Sequence, residues 1–256
     1  MILAGIALIL LSPFYYGYVL KVFSSAFGWI SDLGGNPNYR TYKSLNIPIP
    51  SKYSIHGIDV SSYQGKIDWK KVKEMREDEL YIKFAFIKAT EGLVHVDPYF
   101  QRNWREAPKA GIVCGAYHYF KPGKNGKWQA KFFLQNVKPE KGDLPLVVDI
   151  EELKRVSPER MRKELSSFLN YIENKTAIKP IIYTNITFYK DYLQGHFDDH
   201  ILWIAHYYKP ELKTDKRTRW RFWQHSDMAT IAGINHVVDM NVFNGDSVEF
   251  ERLLVR

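Results

Sequence analysis

The chain has 256 residues, 45% of them apolar, 15% aromatic and 25% charged, with a formal net charge of +8 at pH 7. These values exclude a disordered or low-complexity protein and allow a sizeable core. The positive charge suggests attraction to something anionic, such as a cell-wall polymer or lipid headgroups, while the lack of an arginine-rich stripe or recognisable motif argues against nucleic acid. The single cysteine, Cys114, excludes an internal disulfide, and the run "GIVCGAYHYF" around it reads as a buried strand.

In chain order, the first stretch is "MILAGIALILLSPFYYGYVL", without a charged side chain until Lys21. Twenty helical residues span about 30 Å, enough to cross a bilayer. Residues 1–30 are therefore expected to be a transmembrane anchor or a signal segment, with Ser24 and Ala26 offering a small-residue cleavage pattern. Lys21 and Arg40 would by themselves favour a cytoplasmic segment after it, against the functional argument below, which points outward. Residues 31–54 are rich in Gly, Pro, Asn and Ser and read as a linker, leaving residues 55–256 as the folded domain.

From Ile55 onward eight short β-branched and aromatic runs recur: "IHGIDVS", "FAFIKATEG", "IVCGAYHYF", "LPLVVDIEE", "PIIYTN", "ILWIAHY", "RFWQHSD" and "VVDMNVF". Helical stretches separate the early ones, "DWKKVKEMRE", "DPYFQRNWREAPKAG" and "SPERMRKELSSFLNYIENKT". In the last, Ser157 suits an N-cap, Pro158 the first turn, and Met161, Leu165, Phe168 and Leu169 form an apolar stripe. Eight strands alternating with helices predict an α/β fold, an irregular TIM-like barrel. The last strands start too close together for full helical crossovers, so the final β/α units are expected to be abbreviated. A doubly wound open sheet is the alternative, unsupported by any glycine-rich phosphate loop.

One stretch, "LVVDIEEL", sets two carboxylates two positions apart at the end of an apolar run. On a strand Asp149 and Glu151 face the same way while Ile150 faces the other, and barrel chemistry is built at the carboxyl ends of strands. Asp59 in "HGIDVSSYQG", Glu91 in "KATEG" and Asp239 in "VVDMNVF" sit in comparable places. Carboxyls crowded into one mouth cannot all ionise cheaply, so at least one should hold a proton at neutral pH and donate it to a glycosidic oxygen. A salt bridge to a nearby Lys or Arg is the bland explanation of any one of them. His118 and His206, on strands, read as hydrogen-bonded packing residues, and no metal triad or cofactor motif is visible.

The ordered motifs "GIDVSSYQGKIDW", "FAFIKATEG", "GAYHYF", "VVDIE", "IYTN", "LWIAHY" and "FWQHSD" resemble glycoside hydrolase family 25, the lysozyme or N-acetylmuramidase family, from about His56 to Phe243. The resemblance implies an irregular β/α barrel, no metal or other cofactor, and hydrolysis of the β-1,4 bond after N-acetylmuramic acid in peptidoglycan, with retention through the substrate's own 2-acetamido group. It implies Glu151 as general acid and then base, and Asp149 as the residue that orients the acetamido group. Asp59 and Asp239 would complete the acidic floor. Tyr63, Tyr119, Tyr183, Trp203 and Tyr207 would be sugar-contacting rings and Gln224 a polar partner. Phe222 stands where such enzymes carry a tyrosine. The expected partners are peptidoglycan glycan strands and, through the first segment, a membrane; the expected state is a monomer, anchored or exported, with its catalytic domain facing the envelope or the outside. A chitinase-like glycosidase and a non-catalytic peptidoglycan-binding protein are the alternatives; a Mg²⁺-dependent phosphodiesterase would use clustered acids differently.

Overall fold

The structure, a computed structural model, describes residues 36–42 and 44–256. The expected transmembrane or signal segment, residues 1–30, lies outside the described residues. Among those described, no helix is long and apolar enough to cross a membrane.

All eight expected runs are strands of one closed barrel. They are β3 (His56–Val60), β4 (Ile82–Glu91), β6 (Val113–Tyr119), β7 (Val147–Asp149), β8 (Ile181–Asn185), β9 (Leu202–Ala205), β10 (Trp220–Ala229) and β11 (Val238–Phe243). Round the barrel the order is β3-β11-β10-β9-β8-β7-β6-β4, closed by β3 on β4, and the two-residue β5 (His95–Val96) folds back on β4. Helices α1 (Trp69–Glu74), α2 (Phe100–Lys109), α3 (Gly126–Asn136) and α4 (Pro158–Thr176) fill the first four crossovers. Ser157 caps α4 by accepting from the Arg160 amide, and Met161, Leu165, Phe168, Leu169 and Ile172 are buried along one stripe, as their spacing predicts. The β8–β9 connection carries only a short helical turn at Ile186–Phe188 that runs into a π-helical turn at Tyr189–Leu193, and the later connections carry no helix. A final helix, α5 (Ser247–Leu253), closes the end of the barrel away from the strands' carboxyl ends.

The eighth strand departs from a parallel barrel. β11 runs antiparallel to both β10 and β3. Residues 230–237 are too few for the crossover that a parallel neighbour demands, so the chain reverses instead. The start of β11 thereby lies at the same end of the barrel as the carboxyl ends of the other seven strands.

Alternation sorts each strand's side chains between two cores. Outward residues, among them Ile58, Val148, Ile182 and Met240, pack against the helices. Inward residues fill the barrel with rings: Phe86 stacks on Trp203 at 4.3 Å between centroids, and Phe84 meets Phe222 edge-on at 5.3 Å. The room for these rings comes from glycine. A Cβ on Gly57 would lie 2.5 Å from the Phe84 ring, and one on Gly115 would lie 2.7 Å from Phe86. His118 faces outward and is fully buried between Thr90 Oγ1 and Gln129 Oε1, where burial brings its imidazole down to about 3. Cys114 is buried too.

The stretch expected to be a linker, residues 31–54, contains a docked element instead. β1 (Tyr39–Tyr42) and β2 (Ile47–Pro50) form an antiparallel hairpin, and Tyr42, Leu45, Ile47 and Ile49 are buried in the same core as Val72 and Trp223. Leu45 O accepts from the Thr230 amide at 2.9 Å, and the Ser44 amide donates to Glu77. The prolines are tolerated because a two-stranded ribbon has free edges. Leu45→Ala should therefore lower the unfolding free energy by about 2–5 kcal/mol, as core truncations do. An unchanged urea midpoint for that variant would show that the hairpin is held only loosely.

Candidate active site

Four acids meet at the mouth formed by the strands' carboxyl ends. Asp59, near the end of β3, is the direct register partner of Asp239 at the start of β11, so the two carboxylates share one face of the ribbon. Asp149 ends β7, level with Tyr119 on β6 and Tyr183 on β8. Beyond it the Ile150 amide still donates to Tyr183 O at 3.0 Å and Ile150 is buried outward, which keeps the alternation going and turns Glu151 inward after Asp149. All four acids line a cleft of about 380 Å³, together with Tyr119, Tyr183, Trp203, Tyr207 and Gln224. A larger groove of about 830 Å³ along α1 and α2 contains none of these residues.

A hydrogen-bonded network holds the cleft together. Gln224 donates to Asp59 Oδ2 through Nε2 at 2.8 Å, and its Oε1 accepts from the hydroxyls of Tyr183 and Tyr207, both at 2.8 Å. Asn241 donates to the same Asp59 oxygen at 2.8 Å and accepts from Trp203 Nε1 at 2.7 Å. Every partner of this network is buried or half-buried, where polar groups must be satisfied.

Burial raises the proton affinity of both inner acids. Asp59 is pushed up to about 6, against the pull of its two amide donors. Asp149 is pushed well above the usual carboxylate range, first by burial and then by the charge of Glu151, with Lys88 opposing. Its Oδ1 is buried and makes no hydrogen bond. Burial and the neighbouring Glu151 charge thus favour the protonated form of the Asp149 carboxyl, while Asp59 and Asp239 line the same cleft.

Several expectations about the site are corrected by its geometry. Tyr63 does not line the cleft; it is 65% exposed beside His236, with ring centroids 5.5 Å apart. Trp203 lines the cleft but is only 1% exposed, with Phe86 stacked on it and Tyr183 4.4 Å away, so it supports the wall rather than offering a free face. Glu91 does not join the four acids. Lys121 and Lys88 each approach it to 2.7 Å and, outweighing the upward push of burial, bring it down to about 2. His206 is half-buried, with its backbone bonded to Gln224 O and Trp223 Nε1. The cleft also contains residues that motif reading passed over, Ser61, Lys88 and Tyr117, and Asn241 behind Asp59. A signal existed for two of them. Asn241 stands two positions after Asp239, and Lys88 follows Phe84 and Phe86 in the same alternation. Among the described residues, no three His, Cys, Asp or Glu side chains are arranged to hold a metal ion.

The family model for glycosyl hydrolases family 25 matches residues 58–234. The chain belongs to that family. Asp59, Asp149 and Glu151 lie within the matched span; Asp239 lies just beyond it and joins the site through the register of β11. The YegX protein of Escherichia coli (strain K12) is 44% identical over 98% of this chain and 92% of its own. Lysozyme M1 of Streptomyces globisporus is 33% identical over 84% of this chain and 74% of its own. A solved family 25 glycosyl hydrolase from Bacillus anthracis superposes with a TM-score of 0.73 and 33% identity, covering 84% of this chain and all of that one. This family 25 protein is a glycoside hydrolase with a mixed α/β fold built on a closed eight-stranded barrel.

The network makes a prediction about Asp59. Its two amide donors favour the ionised form, so Asn241→Leu should raise its midpoint above about 6, read by ¹³C-carboxyl NMR of the folded variant. An unmoved or lowered midpoint would show that Asn241 does not support the carboxylate.

Proposed function

We propose that this protein hydrolyses the β-1,4 bond between N-acetylmuramic acid and N-acetylglucosamine in peptidoglycan. The observation that carries the reading is Asp149: a buried carboxyl with a bare Oδ1, raised in proton affinity beside Glu151, in a cleft walled by tyrosines. The relatives named lysozyme and their family support the wall glycan over other sugars.

In this mechanism the bare Oδ1 of Asp149 accepts the acetamido N–H of the bound sugar. That hydrogen bond stabilises the Asp149 carboxylate and shifts the pair's proton toward Glu151. Glu151 gives the proton to the glycosidic oxygen as the C1–O bond breaks, and the acetamido carbonyl oxygen closes on C1 from the opposite face. Ionised Asp149, Asp59 and Asp239 stabilise the positive charge that spreads over the resulting ring. Glu151, now a carboxylate, takes a proton from water, whose oxygen opens that ring at C1. Two inversions give net retention with no covalent bond to the enzyme. Tyr119 and Tyr207 contact the sugar, while Tyr183, Trp203 and Gln224 hold the wall behind them; Tyr63 lies outside the cleft, where it meets a longer glycan.

The enzyme acts as a monomer outside the cytoplasm, with residues 1–30 as its anchor or export signal and the hairpin and barrel as the catalytic unit. Wild-type protein on isolated peptidoglycan should release the β anomer first, by NMR, and should leave chitin largely uncut. Glu151→Gln should fold normally and lose ~10²–10⁴-fold in turnover. Full turnover by that variant, or chitin cut as fast as the wall, would remove this reading. In fractionated cells the full-length chain should sediment with membranes and the barrel should be open to external protease on spheroplasts; a protected barrel would reverse the placement.

A further inference from the structure

The lysine in the acid cleft has no part in the scheme above. Lys88 is the one Lys or Arg lining the cleft among the described residues. Its place depends on an irregularity of β4. On a regular strand residues 88 and 91 face opposite sides. The pairing of β4 with β6, however, slips between Lys88 and Thr90: Lys88 pairs with Tyr117, but Thr90 already pairs with His118. This bulge turns Thr90 outward to the buried imidazole of His118 and returns Glu91 to the side of Lys88. There the Lys88 ammonium lies 2.7 Å from Glu91 Oε2, Lys121 lies 2.7 Å from Glu91 Oε1, and both ammoniums lie over the Tyr119 ring, at 5.1 and 4.3 Å. Two lysines on one carboxylate leave the group with one net positive charge, and its member in the cleft is Lys88.

We propose that Lys88, fixed by Glu91 and Lys121, is a positioning residue of the cleft whose ammonium sets how tightly the Asp149–Glu151 pair holds its shared proton. Among the described residues the cleft holds no other Lys or Arg for the role. Asp59 and Asp239 face Asp149 from β3 and β11, and Glu151 follows it on its own strand. The remaining titratable neighbours are Glu91 on β4, whose charge is offset by Lys88 and Lys121, and the hydroxyls of Tyr117, Tyr119, Tyr183 and Tyr207, which burial keeps neutral. Each charged neighbour except Lys88 makes ionising Asp149 harder. Without Lys88 the pair would hold its proton too firmly to pass it to a leaving group near neutral pH. The bulge is thus the device that places a compensating charge at the rim of an acid cluster, and Glu91 serves it as a structural partner rather than as a fifth acid.

The inference rests on the reading of Asp149 and Glu151 as the reacting pair, but its first test does not depend on activity. In the full chain labelled at Asp carboxyl carbons, with the signal assigned through Asp149→Asn, Lys88→Met should move the Asp149 midpoint up by about one pH unit or more, because an opposite charge at close range favours the ionised form. Lys88→Arg should return it to the wild-type value. If Lys88→Met does not fold, Lys88→Gln, which can still bond to Glu91, gives the same readout. On isolated peptidoglycan the kcat/KM profile of the Met or Gln variant should shift to higher pH in the same direction. A midpoint that stays in place in a folded, charge-neutral variant overturns the inference even when the enzyme still cuts the wall. A shifted midpoint in a protein that cuts no peptidoglycan supports the electrostatic role and rejects the proposed reaction instead.

Discussion

The site depends on the reversal of one strand. Because residues 230–237 cannot form a crossover, β11 enters the barrel antiparallel, between β10 and β3. Its first inward residue, Asp239, therefore stands at the mouth opposite Asp59, its second, Asn241, supports the Asp59 carboxylate, and its third, Phe243, sits in the ring-filled interior. A parallel β11 would have carried Asp239 to the far end of the barrel. Closure and assembly of the site are thus the same event: the hydrogen bonds that seal the sheet also bring the fourth acid to the other three.

Beneath the mouth the barrel is packed with rings, and that packing determines the electrostatics above it. An interior of Phe84, Phe86, Trp203 and Phe222 offers no solvation to a carboxylate at its upper edge. The acids then differ by what the strands supply locally. Asp59 receives two amide donors on one oxygen and stays near 6, whereas Asp149 has an oxygen with no donor and a charged neighbour two residues on. Two aspartates in one cleft are set apart by their surroundings, as acid–base chemistry requires. Glu91, only a few residues from the cleft, is set apart in the other direction by two lysines.

The barrel strands were legible because each is a β-branched or aromatic run between turn residues, and the burial of alternate positions follows directly from that pattern. The hairpin at 39–50 was not. Its prolines, asparagines and glycine-rich approach give it the composition of a linker, and only Ile47 and Ile49, two apart, hint at a buried face. Helix α3 was missed for a related reason: "GKWQAKFFLQN" opens on glycine and mixes aromatic and basic residues without a clear stripe, and it is held by packing on α4. Trp203 shows the converse limit. An aromatic residue on a strand near a catalytic motif has the composition of a sugar platform, yet both the platform and a core position use the same residue, and only the neighbours of its faces decide between them.

By itself the sequence determined the family, the eight strands and the same-side projection of Asp149 and Glu151, because these rest on local period and on ordered motifs along the chain. The tertiary structure decided which other acids join that pair. Asp239 joins and Glu91 does not, although both are acids at the mouth end of a strand. The direction of β11 brings in the first, and a one-residue slip in β4 gives the second to Lys88 and Lys121. Strand direction and register are properties of pairing between distant segments, and pairing is settled by closing the barrel around its core.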